Sequence, residues 1–148
     1  MIIRKAKIED IFTLSNFQLQ KALETENVCL DSKTVTDGVK AMIHNEQMGF
    51  YLVAEHEHSI LGTLMVTYEW SDWRNNNIWW LQSVYVSINN RKQGVFRLMF
   101  DEIKFMAKCA GIKTIRLYVE ANNEIAINTY LKNDFYKTYY IMLEKSID

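Results

Sequence analysis

The spacing of apolar residues changes several times along the chain, and each change marks an element. Ile2-Ile3-Arg4-Lys5-Ala6 predicts a short first strand. Glu9 or Asp10 then sits where a cap belongs, and Ile11, Leu14, Phe17 and Leu19 recur at helical spacing to about Glu24. A polar loop through Leu30 and Asp31 leads to a second helix from near Thr34, with Val35, Val39, Met42 and Ile43 as its apolar positions. Phe50 to Ala54 and Ile60 to Tyr68 read as a strand pair around the turn Glu55-His56-Glu57-His58-Ser59. A second turn, Glu69 to Asn77, is rich in tryptophan and acid, which suits either a packed corner or a wall of a binding site. The next strand, Ile78 to Val86, is apolar on both faces, as a buried strand should be.

A short polar turn follows, and Gly94 opens a helix to about Ala110, with Val95, Leu98, Met99, Ile103 and Met106 on one face. Gly111 ends it, and Thr114 to Val119 is the next strand. Strand, helix, strand of these lengths is a right-handed crossover, so residues 78–86 and 114–119 should run parallel. A ligand then belongs at the carboxyl end of the first of them. Asn122-Asn123-Glu124 starts a last helix, and Phe135 to Leu143 should finish the sheet as edge strands. The fold class predicted is α+β. One mixed, mostly antiparallel sheet with about four helices and one parallel strand pair forms a single domain over 1–148.

Composition narrows the function. The chain has 148 residues and a net charge of −1. That disfavours a nucleic-acid partner, whose phosphates call for a basic patch. No run of 18 or more apolar residues and no leader pattern occurs, so the expectation is a cytoplasmic protein without a membrane partner. Cys29 and Cys109 make neither a zinc pattern nor a disulfide framework, and Cys109 is expected as a buried thiol. His56 and His58 have no third ligand placed by sequence, so no metal is expected and a solvated hairpin tip is the better reading.

The chemistry concentrates between Trp80 and Arg97. Arg91-Lys92-Gln93-Gly94 puts two cations and a glycine at a helix start, where unpaired N–H groups and the positive dipole end favour a phosphorylated ligand. A solvated basic loop is the competing reading. The run Val84-Tyr85-Val86, four spacer residues, and Arg91 to Phe96 resembles the acetyl-CoA pyrophosphate loop of the GNAT superfamily of N-acetyltransferases. Phe96 stands where that loop usually has Gly or Ala, so its side chain must point away from the phosphates. Residues 123–135 are similar to the superfamily's second motif. Asn123, Ala126, Tyr130, Lys132 and Phe135 match it, and Asp134 replaces a glycine. The two motifs stand in the family's order and spacing.

The resemblance implies a direct transfer of acetyl from acetyl-CoA to a primary amine of a small molecule. It implies that the backbone of Val84, Tyr85 and Val86 pairs with the pantetheine arm. N–H groups between Lys92 and Phe96, through Gln93, Gly94 and Val95, would hold the pyrophosphate with help from Arg91. Asn123 would contact the cofactor arm and Tyr130 would protonate the departing thiolate. Many relatives carry a glutamate in the strand before the loop, where this chain has Trp79-Trp80-Leu81-Gln82-Ser83. The general base is therefore sought in Glu69, with Trp70, Trp73 and Trp80 to desolvate it, or in Glu24. Residues 67–86 also resemble the diamine and polyamine acetyltransferase branch, without its acidic pair. The alternative function is a catalytically weak CoA-binding module for sensing or assembly. A homodimer is compatible with either.

Overall fold

Five strands form one sheet in the order β1-β2-β3-β4-β5, with β1 Ile2–Lys5, β2 Gly49–His56, β3 Ser59–Ser71, β4 Asn76–Val86 and β5 Ile115–Leu117. The first four are antiparallel neighbours; β4 and β5 are parallel, in register from Trp79↔Ile115 to Leu81↔Leu117. The helices are α1 Ile11–Glu26, α2 Ser32–His44, α3 Val95–Cys109 and α4 Glu124–Leu131. The computed structural model describes residues 1–148, as two compact units, 1–118 and 119–148. The α+β class and the parallel crossover are as the sequence predicts.

In the first unit, α1 and α2 cover one sheet face. Ile11, Leu14, Val39 and Met42 pack with Tyr51 and Val53, and Met65 adjoins them. The opposite face carries α3: a Cβ on Gly62 would meet Val95 and Met99 at 3.1 and 3.3 Å. Leu14, Leu52, Leu64, Leu81 and Ile103 are fully buried, each contributing about 1.5–3 kcal/mol by leaving water. Asp10 caps less than expected. Its carboxylate takes the Lys7 N–H at 2.7 Å and pairs with Arg4, which also reaches Glu55, so it ties β1, β2 and the start of α1 together.

The hairpin tip is as expected: Glu57 and His58 both have positive φ, the mark of a two-residue type I′ turn. Three local expectations are corrected. Cys109 is exposed, because the last turn of α3 carries it on the outer side. The core row of α3 is Val95, Met99, Ile103 and Ala107 with Phe100, a four-residue ridge, so Leu98 is 45% exposed and Met106 only flanks the row. Residues 132–148 hold no strand. Taken by itself, the unit 119–148 has one helix and no strand with which that segment can form a ladder.

Candidate active site

The carboxyl end of β4 is set by a bulge. Thr63 faces Tyr85 and Met65 faces Gln82, so Ser83 and Val84 together oppose Leu64. Ser83 takes φ 52, the left-handed conformation that starts a bulge of this kind. Its side chain hydrogen-bonds the Tyr51 hydroxyl, and burial pushes Tyr51 up to about 12. Pairing with β5 stops at Leu81, one residue before the bulge region. The Ser87 N–H donates to the Leu61 carbonyl. By the alternation of an antiparallel ladder, the N–H and C=O groups of Val84 and Val86 therefore point away from β3.

The loop after β4 is braced from within. The Asn90 N–H donates to the Ser87 carbonyl, its amide to the Ser87 hydroxyl at 2.7 Å, and that hydroxyl to Leu61 at 3.0 Å. Lys92 (φ 62) and Gly94 (φ 80) are both left-handed, with Gln93 between them. Alternation of this sort turns successive N–H groups into one concavity, which attracts anions. In α3 the Leu98 N–H is the first to find a helical acceptor, at Gly94, leaving those of Val95, Phe96 and Arg97 outside the helical ladder. A Cβ on Gly94 would touch nothing within 4 Å, so the concavity is open. Phe96 stacks on Phe100 with centroids 5.8 Å apart, so its ring lies along the helix as the substitution requires.

Arg91 is folded back toward α1. Its Nη2 donates to Glu24 at 2.5 Å, its Nε donates to the Val86 carbonyl at 2.9 Å, and its guanidinium lies over the Tyr85 ring at 5.4 Å. The Tyr85 hydroxyl donates to Glu24 at 2.8 Å, and the Gln20 side-chain amide lies 3.1 Å from the same oxygen. The Arg91 hydrogen bond, with that of Tyr85, holds Glu24 below its ordinary value against the effect of burial. Burial, with Glu24 beside it, pushes Tyr85 up to about 12.

Below the bulge, on the face that α1 and α2 share, Thr67, Glu69, Trp80, Gln82, Arg116 and Tyr118 form a polar and aromatic floor. Gln82 donates to the Thr67 hydroxyl at 2.6 Å, and the Tyr118 hydroxyl reaches Gln82 at 3.5 Å. Trp80 and Tyr118 have ring centroids 6.1 Å apart. Glu69 meets Arg116 at 3.2 Å. The desolvated setting expected for Glu69 is not formed: its side chain is 45% exposed, and Trp70 near the end of β3 is 61% and Trp73 on the turn 86% exposed. Glu69 also pairs with Ile78, four residues along β3 from Met65, so it stands roughly 13 Å from the bulge.

In the second unit, the Asn123 side chain caps α4 by accepting the Ala126 N–H at 3.1 Å. Tyr130 and Phe135 meet edge to face at 5.8 Å, and burial pushes Tyr130 up to about 12. Asp134 has φ 65, so it occupies the conformation for which a glycine is the usual residue; Asp is among the few others that tolerate it. Lys132 is the C-terminal cap residue of α4. The Ser83 bulge, the Tyr85 hydroxyl and the Gln82–Thr67–Tyr118 row were not singled out from sequence. The polar Gln82-Ser83 step inside an apolar strand is the signal that marks them.

A model of the acetyltransferase (GNAT) family matches residues 8–135. The chain belongs to this family. As a GNAT acetyltransferase it uses acetyl-CoA as its acyl donor, and the open concavity at Gly94 suits that donor's pyrophosphate. It is similar to the crystal structure of a possible acetyltransferase from Clostridium difficile 630, at 39% identity and a TM-score of 0.93 over 99% of this chain and 97% of that one. A predicted acetyltransferase with acetyl-CoA from Clostridium acetobutylicum matches at 20% identity and 0.79, over 97% and 95%. An aminoglycoside acetyltransferase from an uncultured soil metagenomic sample, in complex with sisomicin, matches at 13% and 0.79, over 99% and 96%. At these lower identities the likeness shows the fold. No curated protein matches the chain.

Proposed function

We propose that the chain acts as one domain that acetylates a primary amine of a small molecule by direct attack on acetyl-CoA. The observation that carries this reading is the β4 edge at the Ser83 bulge, beyond the end of the β4–β5 pairing at Leu81, where the backbone groups of Val84 and Val86 face outward beside an open N–H concavity. An extended arm adds to such an edge as a further strand would. The N–H groups from Lys92 to Phe96, with the positive end of α3, balance the pyrophosphate charge. The floor around Thr67, Gln82 and Tyr118 then receives the amine. Small neutral hydrogen-bonding groups next to one acid suit a compact amine better than a long polycation, which favours a substrate outside the polyamines.

In the reaction the amine nitrogen forms a bond to the thioester carbonyl carbon and the carbon–sulfur bond breaks. Tyr130, held in its protonated form by burial, supplies a proton to the leaving sulfur. Asn123 fixes the start of the helix that carries it. The proton lost by the ammonium goes to solvent on the Glu69 side, and Glu69 favours the bound ammonium before it gives up that proton. Glu24 is less suited to receive it, since its carboxylate is committed to Arg91 and Tyr85.

The test is a panel of amines, including aminoglycosides, polyamines and amino acids, with acetyl-CoA, read by free-thiol release and by mass of the product. Amine-dependent thiol release with acetylated product is expected. Acetyl-CoA binding with no release for any amine would replace this reading with the sensing or assembly module. Glu69→Gln should raise KM for the amine and leave the shape of the kcat/KM pH profile unchanged; loss of its acidic limb would make Glu69 the base itself.

A further inference from the structure

We infer that Glu24 and Arg91 are positioning residues, a clamp that holds the β4 edge and the donor loop against the end of α1, rather than a base and a phosphate ligand. The inference rests on the donor site proposed above. Arg91 directs two donors away from the concavity, one to Glu24 and one to the Val86 carbonyl, so its charge is turned toward α1. Val86 is the last residue of β4, and its carbonyl is one of the groups that face outward along the edge. Fixing that carbonyl fixes the tilt of the peptide that leads into the loop.

Glu24 is in turn held by the Tyr85 hydroxyl, so a single carboxylate joins α1 to both a strand residue and a loop residue. Its location argues for this use. Glu24 lies in the last turn of α1, the negative end of the dipole, where an acid is unfavourable unless its partners hold it. No basic residue in that turn offers an alternative partner. The Glu24 and Arg91 side chains are 34% and 41% exposed, and ion pairs of that exposure add little to folding. What the pair contributes should therefore appear in ligand geometry more than in stability.

A clamp and a direct phosphate contact differ in which part of the donor they affect. A clamp serves the pantetheine edge as much as the pyrophosphate; a phosphate ligand serves only the latter. Dissociation constants would be measured by calorimetry for acetyl-CoA and for acetylpantetheine, which lacks the pyrophosphate. The proteins are the full chain, Glu24→Gln, Arg91→Gln and the double variant, each checked by thermal unfolding. The clamp predicts that each single change weakens both donors by a similar factor, about 5- to 10-fold. It also predicts that the double variant is no weaker than either single one, since both changes break one unit.

Weakening of acetyl-CoA alone by Arg91→Gln, with Glu24→Gln unaffected, would overturn the clamp and make Arg91 a phosphate ligand. Additive losses in the double variant would also overturn it. If the unaltered chain binds neither donor, the donor-site reading falls and the clamp with it, an outcome distinct from the other two. Should Glu24→Gln fail to fold, Tyr85→Phe tests the same linkage, because it removes the hydroxyl that orients Glu24. It must weaken both donors in equal proportion if the clamp is right, and acetyl-CoA alone or neither if it is wrong.

Discussion

Replacing Gly94 with alanine adds one methyl group at the point where the chain should meet pyrophosphate. Nothing in the protein lies within 4 Å of that methyl, so no internal clash arises. The cost to folding comes from φ 80 alone, about 1–2 kcal/mol for an L-residue held in the left-handed region. For a chain of this length that lowers Tm by a few degrees, at about 2–4 °C per kcal/mol. The cost to binding comes from the methyl occupying the open concavity. At a donor concentration of about 100 Kd, acetyl-CoA stabilises the unaltered chain by about 2.7 kcal/mol, and a tenfold loss of affinity leaves about 1.4. Scanning calorimetry with and without acetyl-CoA separates the two costs. The apo Tm should fall slightly while the ligand-induced shift is about halved. Gly38→Ala is the control, because Gly38 lies inside α2 with open space around it. It should gain about 0.5–1 kcal/mol and keep the full ligand shift. A full ligand shift in Gly94→Ala would refute the assignment of the concavity to the pyrophosphate.

Tyr130→Phe should lower kcat about 100-fold with the Kd for acetyl-CoA little changed; a loss under about threefold, with chemistry rate-limiting, would return Tyr130 to packing. Because burial raises Tyr130 in the folded state, the stability that its protonated form contributes is complete below the ordinary tyrosine range near 10. It fades as pH rises toward 12, so Tyr130→Phe should flatten that alkaline loss in a stability–pH series. Burial pushes Asp10 up, but Arg4 and the Lys7 N–H outweigh it and leave it below its ordinary value. Its contribution is thus present above about pH 4 and lost as pH falls below it, and Asp10→Asn should cost about 1–3 kcal/mol at pH 7 and little near pH 2 by urea unfolding. Trp73→Ala should change Tm by less than the equivalent of about 0.5 kcal/mol, as an exposed residue on a turn does; a raised KM for the amine would make that turn a wall of the acceptor site.

The candidate cofactor loop stands out in the sequence because its signals are local: two cations, a glycine, and the strand and helix on either side within eighteen residues. The second motif was legible for the same reason, and the structure explains its departure, since Asp134 takes up a glycine-like φ. What sequence did not yield depends on partners far along the chain. Tyr85 and Glu24 are 61 residues apart, and neither identity alone suggests that they meet. From sequence Glu24 is therefore a candidate base with no visible partner, and the desolvation of Glu69 depends on where Trp70, Trp73 and Trp80 pack, which local pattern does not show. The apolar row of α3 was misplaced by one side of the helix, because Leu98 and Phe100 are equally hydrophobic and only packing chooses between them. The bulge left one trace, the polar Gln82-Ser83 step, since the rest of residues 78–86 is apolar on both faces and shows no parity to break.

The extra residue at Ser83 also decides where this chain tolerates a change of length. Gln82 and Tyr85 are three residues apart yet share the face toward α1, because the bulge absorbs one step of the alternation. Deleting Ser83 would restore a regular ladder and leave Tyr85 toward α1 and Val86 toward α3, because Gln82 and Tyr85 would then stand two residues apart on one face. The turn between β3 and β4, where Asp72, Trp73 and Arg74 are exposed, carries no such parity and ends two strands that are already paired. A peptide tag or circular-permutation break therefore belongs at residues 72–75, and within β4 a single-residue deletion keeps the facing of Tyr85 only at the bulge.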